Sequence, residues 1–347
     1  MTARVTIQPS GTEFRVERGE TVLEAALRSG VALNYNCGNG TCGDCKARVL
    51  SGRPAEELPH DYVLKEVERS LGMVLLCCTR TDEDLVVEAA QAGAPADILP
   101  ERITTTVYRL QQPTDEVMLL ELRTPRSNTL RFLAGQYARI ELDGIPAHSA
   151  AIASCPCNGM YLQFHLRRVP GDAFSDYVFT KLRTRQKVDV EGPFGDFVLD
   201  EQSNRPIVFL AFGIGFAPLK SLIEHAIALE LAQPMRLYWV ASDARAHYLS
   251  NYCRSWQDAL DDFTFVPVSG ANQSGHTANR ASGQAGLTAR QRAMLDAASE
   301  LLNREPDLSG FDLYCSGPKS IVERFQALLL QHGIPPDRLF LDYTEKH

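Results

Sequence analysis

Three cysteines fall within nine residues as Cys37-x4-Cys42-x2-Cys45, in a stretch that also carries Gly38, Gly40 and Gly43. Thiolates in this spacing, completed by a distant fourth, hold two irons and two sulfides as a 2Fe–2S cluster. Such a group carries net negative charge, which backbone N–H groups must offset. The glycines let the chain wrap closely and aim its amides inward. Zinc is the competing reading of Cys42-x2-Cys45. Zinc sites, however, generally pair two such short spacings, and the chain has one. The fourth ligand is Cys77 or Cys78, adjacent residues at the end of the apolar run MVLLCC (73–78). Cys155, Cys157, Cys253 and Cys315 are scattered and read as buried hydrophobes.

The elements that must position these thiols are legible on either side. RVTI (4–7) and EFRVE (13–17) read as a hairpin turning near Pro9 and Gly11. A helix starts at Thr21, where Thr21-x-x-Glu24 forms a capping box. Val22, Leu23, Ala26 and Leu27 share its apolar face, and Gly30 stops it. Residues 46–50 and 84–89 read as strands, with a charged helical stretch at 60–70. AGAPADILP (92–100) has no helical period and marks a boundary. Beyond it, TTTVYRL, EVMLLEL, YARIEL, YLQFHLR and KVDVEG are short strands between turns, the pattern of an antiparallel barrel or sandwich. From 206 onward strands alternate with helices: IVFLA, then Leu219, Leu222, Ile223, Ala226 and Ile227 on one face, then LYWVA, then YCSG before a second helix. That alternation predicts a parallel α/β sheet. Residues 269–286, rich in Ser, Gly, Ala, Asn and Gln, read as a mobile loop.

Composition excludes several classes. The 347 residues carry a net charge of −8, and residues 1–95 hold 10 basic against 14 acidic side chains. Nucleic-acid binding relies on Lys and Arg neutralising phosphates, so it is disfavoured. No apolar run approaches the ~18 residues of a membrane span. The first residues, MTARVTIQPSG, have no apolar core of a secretory signal. These features predict a cytoplasmic protein, where cysteines bind metal rather than form a disulfide framework.

YNCGNGTCGDCKARVLSG closely resembles the plant-type ferredoxin domains of oxygenase reductases, and MVLLCCTR resembles their fourth-ligand segment. GQYARI (135–140), EGPFG (191–195) and GFAPLKS (215–221) resemble landmarks of the ferredoxin–NADP reductase fold. The order resembles the reductases of naphthalene- and terephthalate-type dioxygenases and the CDP-6-deoxyglucoseen reductases. The resemblance implies a multidomain chain: a β-grasp ferredoxin-like domain (1–92), an antiparallel flavin-binding β-barrel (100–203) and an NAD(P)-binding α/β domain (204–347). By the family motif Cys77 is the fourth cluster ligand. The resemblance further implies that electrons pass from NADH or NADPH through FAD to the cluster, and then to a protein acceptor, a Rieske or di-iron oxygenase or a dehydratase. The division of labour follows from the cofactors, because a flavin takes electrons in pairs and releases them singly. The same resemblance places His148, Ser149, His165, Arg167, Gly171 and Ser175 at the flavin. It places Gly213, Gly215, Pro218, Ser242, Arg245, Tyr248, Ser316 and Gly317 at the nucleotide.

At five positions the chain departs from the family pattern. Pro146 stands where an arginine pairs with flavin phosphate, and Asp172 where a second glycine meets the pyrophosphate. Phe212 enters the phosphate loop, Ser242 replaces an arginine, and Ser316 replaces the cysteine near the nicotinamide. These departures imply a weakly held flavin. They also frame an alternative, an electron-carrying subunit that lacks flavin or nucleotide and uses its reductase-like domains for docking.

Overall fold

The computed structural model of the chain describes residues 2–91, 94–125, 128–270, 287–304 and 307–345. Most of the expected loop at 269–286 lies outside them.

The first unit is a five-stranded mixed sheet in the order Thr12–Val16, Ala3–Gln8, Leu85–Glu88, Lys46–Ser51, Met73–Leu75. The hairpin is in place, with Val5 opposite Phe14, and the first strand also pairs in parallel with Leu85–Glu88. The helix Val22–Arg28 begins in the expected reciprocal box: Glu24 N donates to Thr21 Oγ1 at 3.2 Å and Thr21 N donates to Glu24 Oε2 at 2.9 Å. Its buried face is Val22, Leu23, Ala25 and Ala26, while Leu27 is only partly buried. The charged helix is shorter than expected, only Glu66–Ser70, and none of its residues is buried. Without a packed face nothing extends it. MVLLCC likewise leaves the sheet after Leu75, where Cys78 N turns back to donate to Leu75 O at 2.8 Å. That turn lifts both cysteines out of the strand.

The second unit is a six-stranded antiparallel sheet in the order Ile145–Ala151, Tyr137–Leu142, Lys187–Phe194, Glu101–Thr114, Val117–Arg123, Tyr161–Arg167. Ile145–Ala151 has weak intrinsic β-propensity, and its pairing with Tyr137–Leu142 makes it a strand. An antiparallel bridge between Ile152 and Phe164 brings the chain beyond one edge strand against the other edge. The helix Ala173–Thr180 buries Phe174 and Val178 against the same core.

The third unit is parallel throughout, in the order Phe263–Ser269, Met235–Ala241, Ile207–Phe212, Asp312–Gly317, Leu339–Tyr343. Every residue of Ile207–Phe212 is buried, as a strand covered by helices on both faces requires. The chain winds outward in both directions from this strand. The sheet therefore has a switch point between Ile207–Phe212 and Asp312–Gly317, where α/β folds leave a crevice for ligands.

The units are tied to one another. Thr129 donates to Asn36 O through its hydroxyl at 3.0 Å, and Arg131 donates to Asn34 Oδ1 at 2.9 Å, joining the first unit to the second. Lys220 Nζ donates to Ala153 O at 3.0 Å and Ser221 Oγ to Ser154 O at 2.7 Å, joining the third to the second. Just beyond, Cys155 and Cys157 are joined by a disulfide. This corrects their reading as separate buried thiols. They are two residues apart in a turn that brings their sulfurs together, whereas Cys253 and Cys315 are buried and free as expected. Among the described residues no helix is long and apolar enough to cross a membrane.

Candidate functional site

The loop between the first helix and Lys46–Ser51 brings the expected thiols together in two pairs. Cys37 Sγ and Cys42 Sγ are 3.2 Å apart, and so are Cys45 Sγ and Cys77 Sγ. Among the described residues no three His, Cys, Asp or Glu side chains gather round a point fit for one metal ion. Two pairs instead match a two-iron cluster in which each iron takes two thiolates. Cys78 is also buried, with its sulfur 3.6 Å from Cys77 Sγ and close to Gly40 of the loop, but Cys77 is the one paired with Cys45 at 3.2 Å.

The backbone is shaped for an anionic group. The amides of Thr41 and Cys42 donate to Cys37 Sγ at 3.3 and 3.4 Å, and Asp44 N donates to Cys42 Sγ at 3.4 Å. Burial raises the Cys37 pKa, but the hydrogen bonds from Thr41, Asn39 and Cys42 outweigh it and hold the thiol at about 6. The hydrogen bond to Cys45, followed by burial, pushes Cys77 up. Gly40 has φ +78°, and a Cβ there would collide with His60 Cβ and lie 2.6 Å from Cys78 Sγ. A Cβ on Gly43, at φ +80°, would strike the Tyr62 ring. The cradle closes only around glycine. The paired thiols, the inward amides and the close-fitting glycines fit a 2Fe–2S cluster.

A cleft of about 750 Å³ opens at the switch point of the parallel sheet and runs onto the antiparallel sheet. His148, Ser149, His165 and Arg167 line it from one side, and Gly213, Pro218, Ser242, Arg245 and Tyr248 from the other. A cleft of this size, between two domains and at a switch point, suits a cofactor. His165 and Tyr248 join its two walls: His165 Nδ1 lies 2.9 Å from Tyr248 Oη. Burial, then the charge of Lys220, holds His165 well below its ordinary pKa, so the imidazole is neutral. Burial raises Tyr248 well above its own.

The helix Phe216–Ala228 begins at the cleft with no side chain capping its first amides. An uncapped helix N-terminus attracts anions. A Cβ on Gly213, at φ +57°, would meet nothing within 4 Å, so that approach is open. The helix Ala173–Thr180 differs, because Ser175 N donates to Asp172 Oδ1 at 2.8 Å. Its N-terminus is closed by the chain's own carboxylate where the family pattern expects phosphate.

Five expected residues do not line the cleft. Gly171 lies beside the capped helix, and Ser175 Oγ accepts from Val169 N at 2.8 Å. Gly215 is packed against the Ser316 carbonyl, and a Cβ on Gly317 would lie 2.5 Å from Phe212 Cβ. Ser316 is buried and donates to Asp342 Oδ2 at 2.9 Å. Phe212 does not crowd the loop with its ring, which turns into the core against Phe325 with centroids 5.4 Å apart. One face of His148 is taken by Phe174, stacked at 4.5 Å.

The cleft is also lined by residues not singled out from the sequence: Arg139, which lies within GQYARI, and Asp243, Arg290 and Asp342. Arg139 pairs with Glu191 at 3.1 Å, and Arg290 reaches across the cleft to Glu116 at 2.5 Å. Asp243 follows the second strand of the parallel sheet and accepts from Ser242 Oγ at 3.0 Å. They come from separate elements. Two sequence signals were available: the GQYARI motif for Arg139 and a position just after a parallel strand for Asp243.

Comparison with known proteins agrees with this architecture. Residues 5–82 match the family of 2Fe-2S iron-sulfur cluster binding domains, and residues 209–326 match the oxidoreductase NAD-binding domain. The chain is 30% identical over 266 residues to terephthalate 1,2-dioxygenase reductase component 2 of Comamonas, covering 77% of this chain and 78% of that one. It is 29% identical over 342 residues to the CDP-6-deoxy-L-threo-D-glycero-4-hexulose-3-dehydrase reductase of Yersinia pseudotuberculosis, covering 99% and 98%. The crystal structure of the Amycolatopsis cytochrome P450 reductase GcoB superposes with a TM-score of 0.60 at 27% identity, covering 99% of each chain. With thiols paired for a cluster at one end and a nucleotide cleft at the other, the chain belongs to the family of NAD(P)H-dependent iron–sulfur flavoprotein reductases.

Proposed function

We propose that this reductase serves a Rieske or di-iron oxygenase or a sugar dehydratase in the cytoplasm, with the antiparallel sheet as the flavin barrel between the two other sites. Residues 1–92, 100–203 and 204–347 are proposed as its domains, since each sheet lies wholly within one of these spans. The observation that carries the reading is the double attachment of the middle unit. It meets the cluster loop at Asn36, the neighbour of Cys37, and the nucleotide cleft at His165–Tyr248. A flavin in that unit would supply the step from electron pairs to single electrons.

The chain's own residues account for the rest. The open N-terminus of Phe216–Ala228 binds the anionic part of the nucleotide. Neutral His165 and protonated Tyr248 hold the cleft walls together without adding charge. The amides of Thr41, Cys42 and Asp44 offset the charge on the thiolates. Cys37, Cys42, Cys45 and Cys77 are the proposed ligands, supported for the fourth by the 3.2 Å approach of Cys77 to Cys45. With Asp172 closing one anion site and Pro146 exposed, FAD is held weakly and comes off during purification. Deletion of residues 1–92 tests the order of transfer. NAD(P)H-driven cytochrome c reduction should vanish while ferricyanide reduction, which the flavin performs directly, persists. Equal loss of both in a folded truncation would contradict the order.

A further inference from the structure

The cluster loop has two sides, and they differ. At the Cys37 end Asn36 O accepts from Thr129, so this side is covered by the middle unit. At the other end the Tyr62 ring lies against Gly43, and Tyr62 N donates to Gly40 O at 2.9 Å. Lys46, the residue after Cys45, donates to Tyr62 Oη at 3.0 Å and to Glu68 at 2.7 Å, which pins the short helix Glu66–Ser70 to the loop. Outside this brace stands a stripe of exposed apolar side chains, Val63 just before the short helix, Val67 within it and Leu71 at its C-terminal cap, which are 76%, 67% and 54% exposed. Val49 N donates to the carbonyl of Gly72, the residue after Leu71, and Leu50, the residue after Val49, is itself 46% exposed.

Side chains of this kind are not left in water without a reason when they are contiguous. None of them contributes to the domain core. We propose that Val63, Val67, Leu71 and Leu50 form the docking surface for the protein electron acceptor, which meets them with an apolar patch of its own. Electrons then enter the loop by the covered Asn36 side and leave by the Tyr62 side. One electron leaves the chain and one enters the acceptor. No bond forms or breaks.

Two features decide for this occupant over a second copy of the chain. The surface is continuous with the cluster loop through Tyr62 and Lys46, so whatever covers it lies beside the thiolates. Four side chains also expose only a few hundred Å² at most, well short of a stable homodimer interface but within the range of short-lived redox encounters. The charges around the stripe, Asp61, Lys65, Glu66, Glu68 and Arg69, are of mixed sign. The contact is therefore apolar at its centre and only weakly steered by charge.

The test uses the full chain with Val63→Ser, Val67→Ser and Leu71→Ser together, ferricytochrome c as the protein probe, and high ionic strength to screen charge steering. Two measurements avoid the nicotinamide and flavin: the Kd of the oxidised protein for immobilised ferricytochrome c, and the rate at which the dithionite-reduced protein passes its electron to that probe. We expect the Kd to rise and the second-order rate to fall by about fivefold or more. Oxidation by ferricyanide, the visible spectrum and the Leu99→Ser control should not change. Unchanged Kd and rate would overturn the proposal. A parent chain that sediments as a dimer and is dissociated by the substitutions would overturn it in favour of a second copy. Absence of NAD(P)H oxidation would count against the reductase reading alone, since neither measurement depends on it.

Discussion

Replacing Gly40 with alanine separates the cradle's need for glycine into two parts. Gly40 and Gly38 both hold positive φ, +78° and +64°, so alanine at either position incurs the left-handed backbone strain of about 1–2 kcal/mol. Their surroundings differ. A Cβ on Gly38 meets nothing within 4 Å, whereas one on Gly40 collides with His60 Cβ and comes within 2.6 Å of Cys78 Sγ. Overpacking of that kind costs about 1–3 kcal/mol more. Gly38→Ala should thus destabilise the cluster domain by about 1–2 kcal/mol and Gly40→Ala by about 2–5 kcal/mol. For a domain of this size the corresponding loss in Tm is about 4–16 °C and about 8–40 °C. The assay is iron and acid-labile sulfide per chain, with the cluster's visible absorption followed on heating. Ferricyanide reduction by NAD(P)H serves as the control for the other domains. Gly40→Ala should arrive largely bleached and Gly38→Ala largely intact. Equal cluster content and equal melting in the two variants would refute the close-packed cradle.

Three further outcomes follow from the same geometry. Cys77→Ala should lose or cripple the cluster while Cys78→Ala keeps it, read by iron and sulfide content; bleaching by Cys78→Ala alone would reverse the ligand assignment. Asp172→Asn keeps an oxygen to cap the helix but removes a charge worth about 1 kcal/mol to a nearby phosphate, so FAD should bind severalfold more tightly in a fluorescence titration. Adding Pro146→Arg should contribute about 1.5–3 kcal/mol more, and no tightening in either protein would sink the assignment of this helix to the flavin. His165 is neutral when folded, with its pKa far below the ordinary 6.5, so the unfolded chain binds the extra proton as pH drops below that value. Stability should be independent of this group above pH 6.5 and fall below it by up to about 1.4 kcal/mol per pH unit. His165→Gln should flatten that slope in denaturant melts between pH 6.5 and 5, and an unchanged slope would show that other groups carry it.

The thiols were legible because their chemistry is local: three of them lie within one loop whose glycines announce positive φ. The capping box at Thr21 and the buried strand Ile207–Phe212 were legible for the same reason, since caps and continuous apolar runs are short-range signals. The strand Ile145–Ala151 was not, because neighbouring Tyr137–Leu142 rather than its own composition makes it one. Ser175 and Gly215 resembled ligand positions, yet one is occupied by Val169 N and the other by close packing on the Ser316 carbonyl. A motif match carries the residue type forward but not the partner that claims it. Arg290 and Glu116 meet across 174 positions of sequence, and no local pattern foretells such a pair. The link between Cys155 and Cys157 was missed on a compartment argument, which weighed all the cysteines alike.

The central claim is that electrons from a nicotinamide reach the cluster within this one chain. The most direct measurement is an anaerobic titration of the purified protein, supplemented with FAD, by NADH and by NADPH. Cluster reduction is followed by electron paramagnetic resonance against iron, sulfide and flavin content. The account predicts two irons and two sulfides per chain and a reduced-cluster signal that grows with added nicotinamide, as large as the one dithionite produces. A cluster that dithionite reduces but neither nicotinamide does, with FAD present in excess, would contradict it.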